Sequence, residues 1–252
     1  MPHIDDPYSK QMLDAAKSQI ESAHYEALSI GQECYARLCR RLAGSEYGVG
    51  TPEEAAFALS ARLLELAAMS LLCMRSGSVP AAKILTRSGL EAAYKVCAIR
   101  RDAKNLEQFI ADNIASRLLL NKKIHEFKKE KGGKSLANGI EKKIDELTAQ
   151  KAQKIDPAEW AARGQMNDYH QLFYAWLSSD THGNAAAIDH YFDPNLDYAL
   201  EIGPSDIDLP MTVMILSRSL LVVLRSLGPT DEAELDAWHA QIEKRLIDLE
   251  AK

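Results

Sequence analysis

Apolar residues recur along most of this chain at three- and four-residue spacings, the repeat of an amphipathic helix, and no stretch reads convincingly as a strand. A first helix is expected from Pro7 to about Ala43, ended by Gly44, Gly48 and Gly50. Thr51-Pro52-Glu53-Glu54 is a strong second start: a Thr cap, Pro at the first position and acids in the first turn. The helix that follows carries Ala56, Leu59, Leu63, Leu66 and Met74 and stops at Gly77. Ser78-Val79-Pro80 opens a third helix, apolar on several sides through Ile84, Leu85, Leu90, Ala93, Val96 and Ile99. A helix with that pattern belongs at the centre of a bundle.

Further helices are expected from Asn105 to Lys131, broken by Gly132-Gly133, and from Ser135 to about Lys154. A short piece begins at Asp156-Pro157, and Asn167 or Asp168 is expected to cap an aromatic helix. Residues 178–210 read as an irregular loop, and loops this long are commonly functional. Pro210 opens an apolar helix to Leu227, and Gly228-Pro229-Thr230-Asp231-Glu232 starts the last one. No internal repeat is visible. The expected fold class is all-α: one domain over residues 1–252, with residues 105–154 as a projecting lysine-rich helical hairpin.

Composition changes this picture little. At 252 residues and 46% hydrophobic, the chain is an ordinary globular one. The N-terminal segment is acidic and lacks the apolar core of a secretory signal. Met211 to Leu224 contains Arg218 and is short for a bilayer span, so it reads as a core helix and no membrane partner is expected. Cys34, Cys39, Cys73 and Cys97 sit in helical patterns without C-x-x-C spacing, as buried apolar residues do in a reducing cytoplasm.

Charge is uneven, and this bears on partners. The net charge is −6, which argues against wholesale nucleic-acid binding. Yet residues 122–154 hold ten lysines against five acids, a local +5 that leaves −11 elsewhere. Lys128, Lys129 and Lys131 could clamp RNA backbone there. The plainer reading is a solvated lysine-rich face, since no arginines and few aromatics are interleaved.

Chemistry is concentrated in two places. Arg87 and Glu91 stand one turn apart on the apolar third helix, and ionised groups there need partners. The expected partner is the Ser178–His182 turn, which carries Asp180 and His182 just after Tyr174. His182 could act as acid or base, Asp180 could orient it, and Arg87 could hold a phosphate with Glu91 beside it. The plainer reading is a buried network that fixes how two helices meet. His170, Asp180, His182, Asp189 and His190 fall within twenty-one residues, but no H-x-x-x-H or H-E-x-x-H occurs, so no metal is expected. Phosphate-binding and dinucleotide-binding loops and the G-x-S-x-G elbow are absent, and no cofactor is expected.

Arg87-Ser88-Gly89-Leu90-Glu91-Ala92, with Tyr174-Ala175-Trp176-Leu177-Ser178 and His182-Gly183 downstream, resembles a bacterial helical family of unknown function. Its members pair an R-S-x-x-E-A helix with a later Y-x-x-L-S-x-x-x-H-[GP] segment, over about residues 55–225 here. More distantly the layout is similar to the HEPN superfamily of helical bundles. That resemblance implies a metal-independent ribonuclease of toxin or phage-defence type, with an R-x(4–6)-H motif at a dimer interface. Arg163 and His170 have that spacing, although Gly164 stands where a polar residue is usual. His182 has no arginine at the required distance before it.

Two functional classes stay open. One is a HEPN-like ribonuclease or defence effector with His182 or His170 as acid–base group, Arg87 or Arg163 on phosphate, and Glu91 and Asp180 in support. The other is a noncatalytic helical module that binds a protein partner or small ligand through the 178–210 loop, with Tyr174 among its contacts. Self-association into a homo-oligomer is compatible with both.

Overall fold

A computed structural model of the chain describes residues 10–43, 45, 48–130, 137–178, 192–193, 199–200, 204–228 and 232–250. It is an all-α bundle. Helix α1 (Lys10–Ala23) and helix α2 (Tyr25–Ala43) occupy the stretch expected to form one helix. They deviate at His24, yet His24 N–H still donates to Ile20 O (2.9 Å) and Leu28 N–H to His24 O (3.0 Å). His24 Nε2 meets Asp206 Oδ2 at 2.8 Å, a tertiary contact that local sequence does not announce.

Helix α3 (Pro52–Arg75) starts as its sequence dictates, with the Thr51 hydroxyl accepting from Glu54 N–H. Helix α4 (Val79–Arg101) returns antiparallel to it through a tight turn. Gly77 makes that turn possible at φ +75°, with its carbonyl accepting from Ser205 N–H at 2.8 Å. Helix α4 buries Leu90, Ala93, Tyr94, Val96, Cys97 and Ala98, and packs on α3 and on helix α10 (Leu209–Ser226). The last helix, α11 (Glu232–Glu250), closes over α2 and α10. Helices α3 and α10 are long and apolar enough to cross a membrane by length and composition; 50% and 67% of their most apolar windows are buried within the bundle.

Helix α5 (Asn105–Glu130) and helix α6 (Ala137–Thr148) form the lysine-rich hairpin. They pack chiefly on each other, and α5 meets the bundle through its first turns, where Asn105, Asp112 and Ala115 are buried. Helix α7 (Pro157–Arg163) is capped by Asp156, whose carboxylate accepts from Glu159 N–H at 2.7 Å. The aromatic segment is not one regular helix. It comprises α8 (Asn167–Tyr169), a π turn (His170–Tyr174) and α9 (Ala175–Ser178), and its cap position is Met166 rather than Asn167 or Asp168. Short π turns inside helices often mark functional positions, because the extra residue re-aims the side chains. Phe192–Asp193 pairs antiparallel with Ala199–Leu200 in the 178–210 segment, most of which lies outside the described residues.

Cys34 and Cys97 are buried, Cys39 and Cys73 partly so, and all four are free thiols.

Candidate functional site

The site grows from one stripe of helix α4. Lys83, Arg87, Glu91 and Lys95 follow one another at four-residue intervals, so they line one face of a helix that is otherwise core. Each meets an aromatic or ionic partner from outside α4, and Arg87 and Glu91 share one.

Lys83 is 1% exposed. Its ammonium sits 3.2 Å from Asp208 Oδ2 and 3.9 Å from the centre of the Trp176 ring. Asp208 occupies the left-handed conformation (φ 67°) immediately before α10, so the chain bends there to bring the carboxylate to Lys83.

One turn on, Arg87 Nη2 donates to Tyr174 Oη at 2.6 Å, and Tyr174 O–H donates to Glu91 Oε1 at 3.0 Å. Arg87 Nε lies 3.6 Å from the same carboxylate oxygen, and its guanidinium lies 4.6 Å from the Tyr174 ring centre. The tyrosine thus bridges a carboxylate and a guanidinium that also form an ion pair with each other. Burial raises the Tyr174 phenol's pKa; the Arg87 hydrogen bond pulls the other way, and the Glu91 charge adds to the rise. The phenol therefore stays a hydrogen-bond donor through the neutral range.

His170 lies behind this tyrosine. Its ring stacks on Tyr174 (4.6 Å between centres, 23°) and meets the edge of Tyr94 (5.9 Å). His170 Nδ1 and Tyr94 Oη are both buried without a hydrogen-bond partner among the described residues. The π turn is what sets His170 and Tyr174 in this stacked pair, since both belong to it.

Arg87, Glu91 and Tyr174 open into a cleft of about 460 Å³, shared with Lys95, Asp112, Lys154 and Trp160. Asp112 anchors its far wall. It accepts from Ile155 N–H (3.0 Å) and Trp160 Nε1–H (3.2 Å), and Lys95 Nζ is 3.8 Å away. Buried carboxylates persist only when paired and hydrogen-bonded in this way. Three cations, Arg87, Lys95 and Lys154, therefore face two acids, and both acids are already committed to donors inside the protein.

The other sequence candidates fall elsewhere. Arg163 donates to Glu159 Oε1 (2.6 Å) and Asn105 Oδ1 (3.0 Å) and is not among the residues lining the cleft. Among the described residues it shares no partner with His170. Lys128 and Lys129 lie on the last turn of α5, half-buried and exposed respectively. Lys131, Asp180 and His182 lie outside the described residues. Of the expected Ser178–His182 partner, Ser178 is described, and its hydroxyl donates to Tyr174 O at 2.6 Å. No group of three or more His, Cys, Asp or Glu side chains is placed to hold a metal among the described residues.

Reading the sequence did not single out Lys83, Lys95, Asp112, Lys154 or Trp160. The first two were detectable, since they extend the Arg87–Glu91 spacing by one step each way. The other three reach the site only through the packing of α5 and the 154–160 segment.

Comparison with known families gives one match, to the family described as "Family of unknown function (DUF5677)", over residues 53–199. The chain belongs to that family. The matched span runs from the first turn of α3 through α4, the hairpin and the Tyr174 segment, so it contains every described residue of the cleft. No curated protein and no solved structure matches the chain.

Proposed function

We propose that this DUF5677 protein is a helical module that takes a small phosphate-bearing ligand in the α4–α5 cleft. The observation that carries this reading is the cleft's unequal charge: Arg87, Lys95 and Lys154 face Glu91 and Asp112, and Glu91 Oε1 and both Asp112 oxygens already accept hydrogen bonds from the protein. An anion entering the cleft would complete the pairing of the lysines, and Arg87 could add a charge-assisted hydrogen bond. Calorimetric titration of the full chain with pyrophosphate and with a nucleoside triphosphate tests it. Binding should occur, weaken with added salt, and fall about tenfold or more with Lys95→Ala, since a charged hydrogen bond contributes about 1.5–3 kcal/mol. No heat with either ligand and no change in thermal midpoint would refute it.

A second reading has its own support: the cleft presents an arginine beside a proton-bearing phenol and a carboxylate. This is the equipment of a metal-independent ribonuclease or defence effector of HEPN-like type. In that chemistry a base takes the 2′-hydroxyl proton, the 2′-oxygen bonds to phosphorus, and the 5′-oxygen leaves with a proton from an acid. Glu91, His170 or His182 would serve as base or acid, and Arg87 would stabilise the phosphorane charge. The lysine-rich hairpin would hold the flanking RNA backbone, in a cytoplasmic setting. Cleavage of single-stranded RNA should then survive chelator and fail in Arg87→Ala and Glu91→Gln. His182→Ala and His170→Ala separate the two histidines. Charge reversal at Lys128 and Lys129 should weaken RNA binding and flatten its salt dependence. RNA left intact by the wild-type protein leaves the ligand-binding reading alone.

A further inference from the structure

Helix α3 is apolar beyond the side it buries. Its core side is formed by Ala56, Phe57, Ser60, Leu63, Ala67, Leu71 and Met74. A helix that sits at a bundle's edge is expected to be polar on the other side. The opposite side of α3 instead carries Ala55, Ala58, Arg62, Glu65, Met69 and Leu72, with Met69 49% and Leu72 57% exposed. These six positions, three or four residues apart, form a seam along one helix face, with a charged pair at its middle and apolar residues at its ends. Nothing in the described fold covers this seam.

The order of residues along the seam indicates what does. Take a two-fold axis crossing the helix between Leu63 and Leu64, with a second α3 running antiparallel. Arg62 then faces the partner copy's Glu65, and Glu65 its Arg62. Ala58 faces Met69, and Ala55 faces Leu72, so each large side chain meets a small one. Charge and volume are both self-complementary about one centre, as an isologous interface requires. Among the described residues of one chain, Arg62 and Glu65 pair with each other, at 2.5 Å, and are 59% and 67% exposed.

We propose that a second copy of this chain covers the outer seam of α3, in an antiparallel homodimer registered by reciprocal Arg62–Glu65 pairs. Central polar pairs of this kind fix register and orientation, while Met69 and Leu72 supply the apolar contact. This surface is separate from the cleft, from Arg163 and from His170, so it stands whether or not the proposed function does.

Charge swapping tests it on the full-length protein, with sedimentation velocity as the readout and circular dichroism as the fold control. Wild type should sediment as a dimer. Arg62→Glu sets two glutamates against two, and Glu65→Arg sets two arginines against two. Each should weaken the dimer on the order of a hundredfold. The double variant Arg62→Glu/Glu65→Arg restores opposite charges and should dimerise again. An equimolar mixture of the two single variants should form a heterodimer that neither forms alone. A monomeric wild type overturns the proposal. So does a dimer indifferent to both single variants, or a monomeric chain that floats with liposomes, which would make the α3 seam a lipid contact.

Discussion

Replacing Tyr174 by Phe removes one oxygen and leaves the ring. The ring contacts with His170 (4.6 Å) and with the Arg87 guanidinium (4.6 Å) therefore survive. What disappears is the bridge: acceptance from Arg87 Nη2 at 2.6 Å and donation to Glu91 Oε1 at 3.0 Å. Hydrogen bonds to charged groups contribute about 1.5–3 kcal/mol each. The loss will be smaller than two such bonds, because Arg87 Nε and Glu91 Oε1 already stand 3.6 Å apart and can close the gap. Exposure of 17% and 34% places this pair between a surface ion pair, near 0–1 kcal/mol, and a buried one. A net destabilisation of about 1–2 kcal/mol is expected. Stability alone would not identify the cause, so the test is a double-mutant cycle in urea with Glu91→Gln as the second change. If the phenol and the carboxylate act through one bond, their coupling energy should exceed about 0.5 kcal/mol, the usual error of additivity. Additive losses, with native circular dichroism in all three variants, would refute the bridge.

Asp112→Ala should cost about 2–5 kcal/mol by urea denaturation, because it leaves Ile155 N–H and Trp160 Nε1–H buried without an acceptor. Asp112→Asn keeps one acceptor and should cost less; equal midpoints for wild type and Asp112→Ala would contradict the clamp. Gly77→Ala should unfold or severely weaken the protein, since a Cβ there would meet Pro204 Cβ at 2.5 Å in a left-handed backbone; a wild-type melting temperature would rule this out. Alkaline stability is set in part by Cys34 and Cys97, whose thiols burial pushes up to about 12 and about 11 from an ordinary 9.0. Above pH 9.0 the unfolded chain releases these protons first, so stability should be intact below that value and fall as pH rises toward about 11 and about 12. Cys34→Ala should flatten the fall in urea midpoint above pH 9.0, and an unchanged slope would exclude the thiol as its source.

The helical architecture was legible because it rests on local signals. Thr51-Pro52-Glu53-Glu54 caps α3, Asp156-Pro157 caps α7, and the apolar runs of α4 and α10 announce buried helices. The π turn was not legible, because five residues of His-Gln-Leu-Phe-Tyr carry no backbone signature distinct from an α-helix. The His24 deviation was missed for a related reason: its contact is Asp206, 182 positions away. At the site, the Arg87–Glu91 pairing was visible as two charges that an apolar helix had to satisfy. Its actual bridge, Tyr174, was legible as a motif tyrosine and a candidate ligand contact, but not as the partner of this pair. Arg163 and His170 have a motif's spacing, but spacing along a chain says nothing about partners. Glu159, one turn before Arg163 on α7, takes the arginine first.

The stripe on α4 explains why such a charged row is tolerated in a core helix at all. Each cation lies against an aromatic face: Lys83 on Trp176 at 3.9 Å, Arg87 on Tyr174 at 4.6 Å, Lys95 near Phe109 at 5.9 Å and Trp160 at 6.0 Å. The ring quadrupole offsets part of the lost hydration, most where the charge is closest and driest. The series also runs from sealed to open. Lys83 is nearly inaccessible and matched by Asp208, whereas Lys95 is 25% exposed and holds Asp112 only at 3.8 Å. A sealed pair fixes how α4 meets α9 and α10, but it has no capacity left for a ligand. A loosely paired lysine at the mouth of a cleft does. The division of labour along one helix face is therefore graded by burial, and the end with the weakest internal pairing is where an incoming anion would gain most.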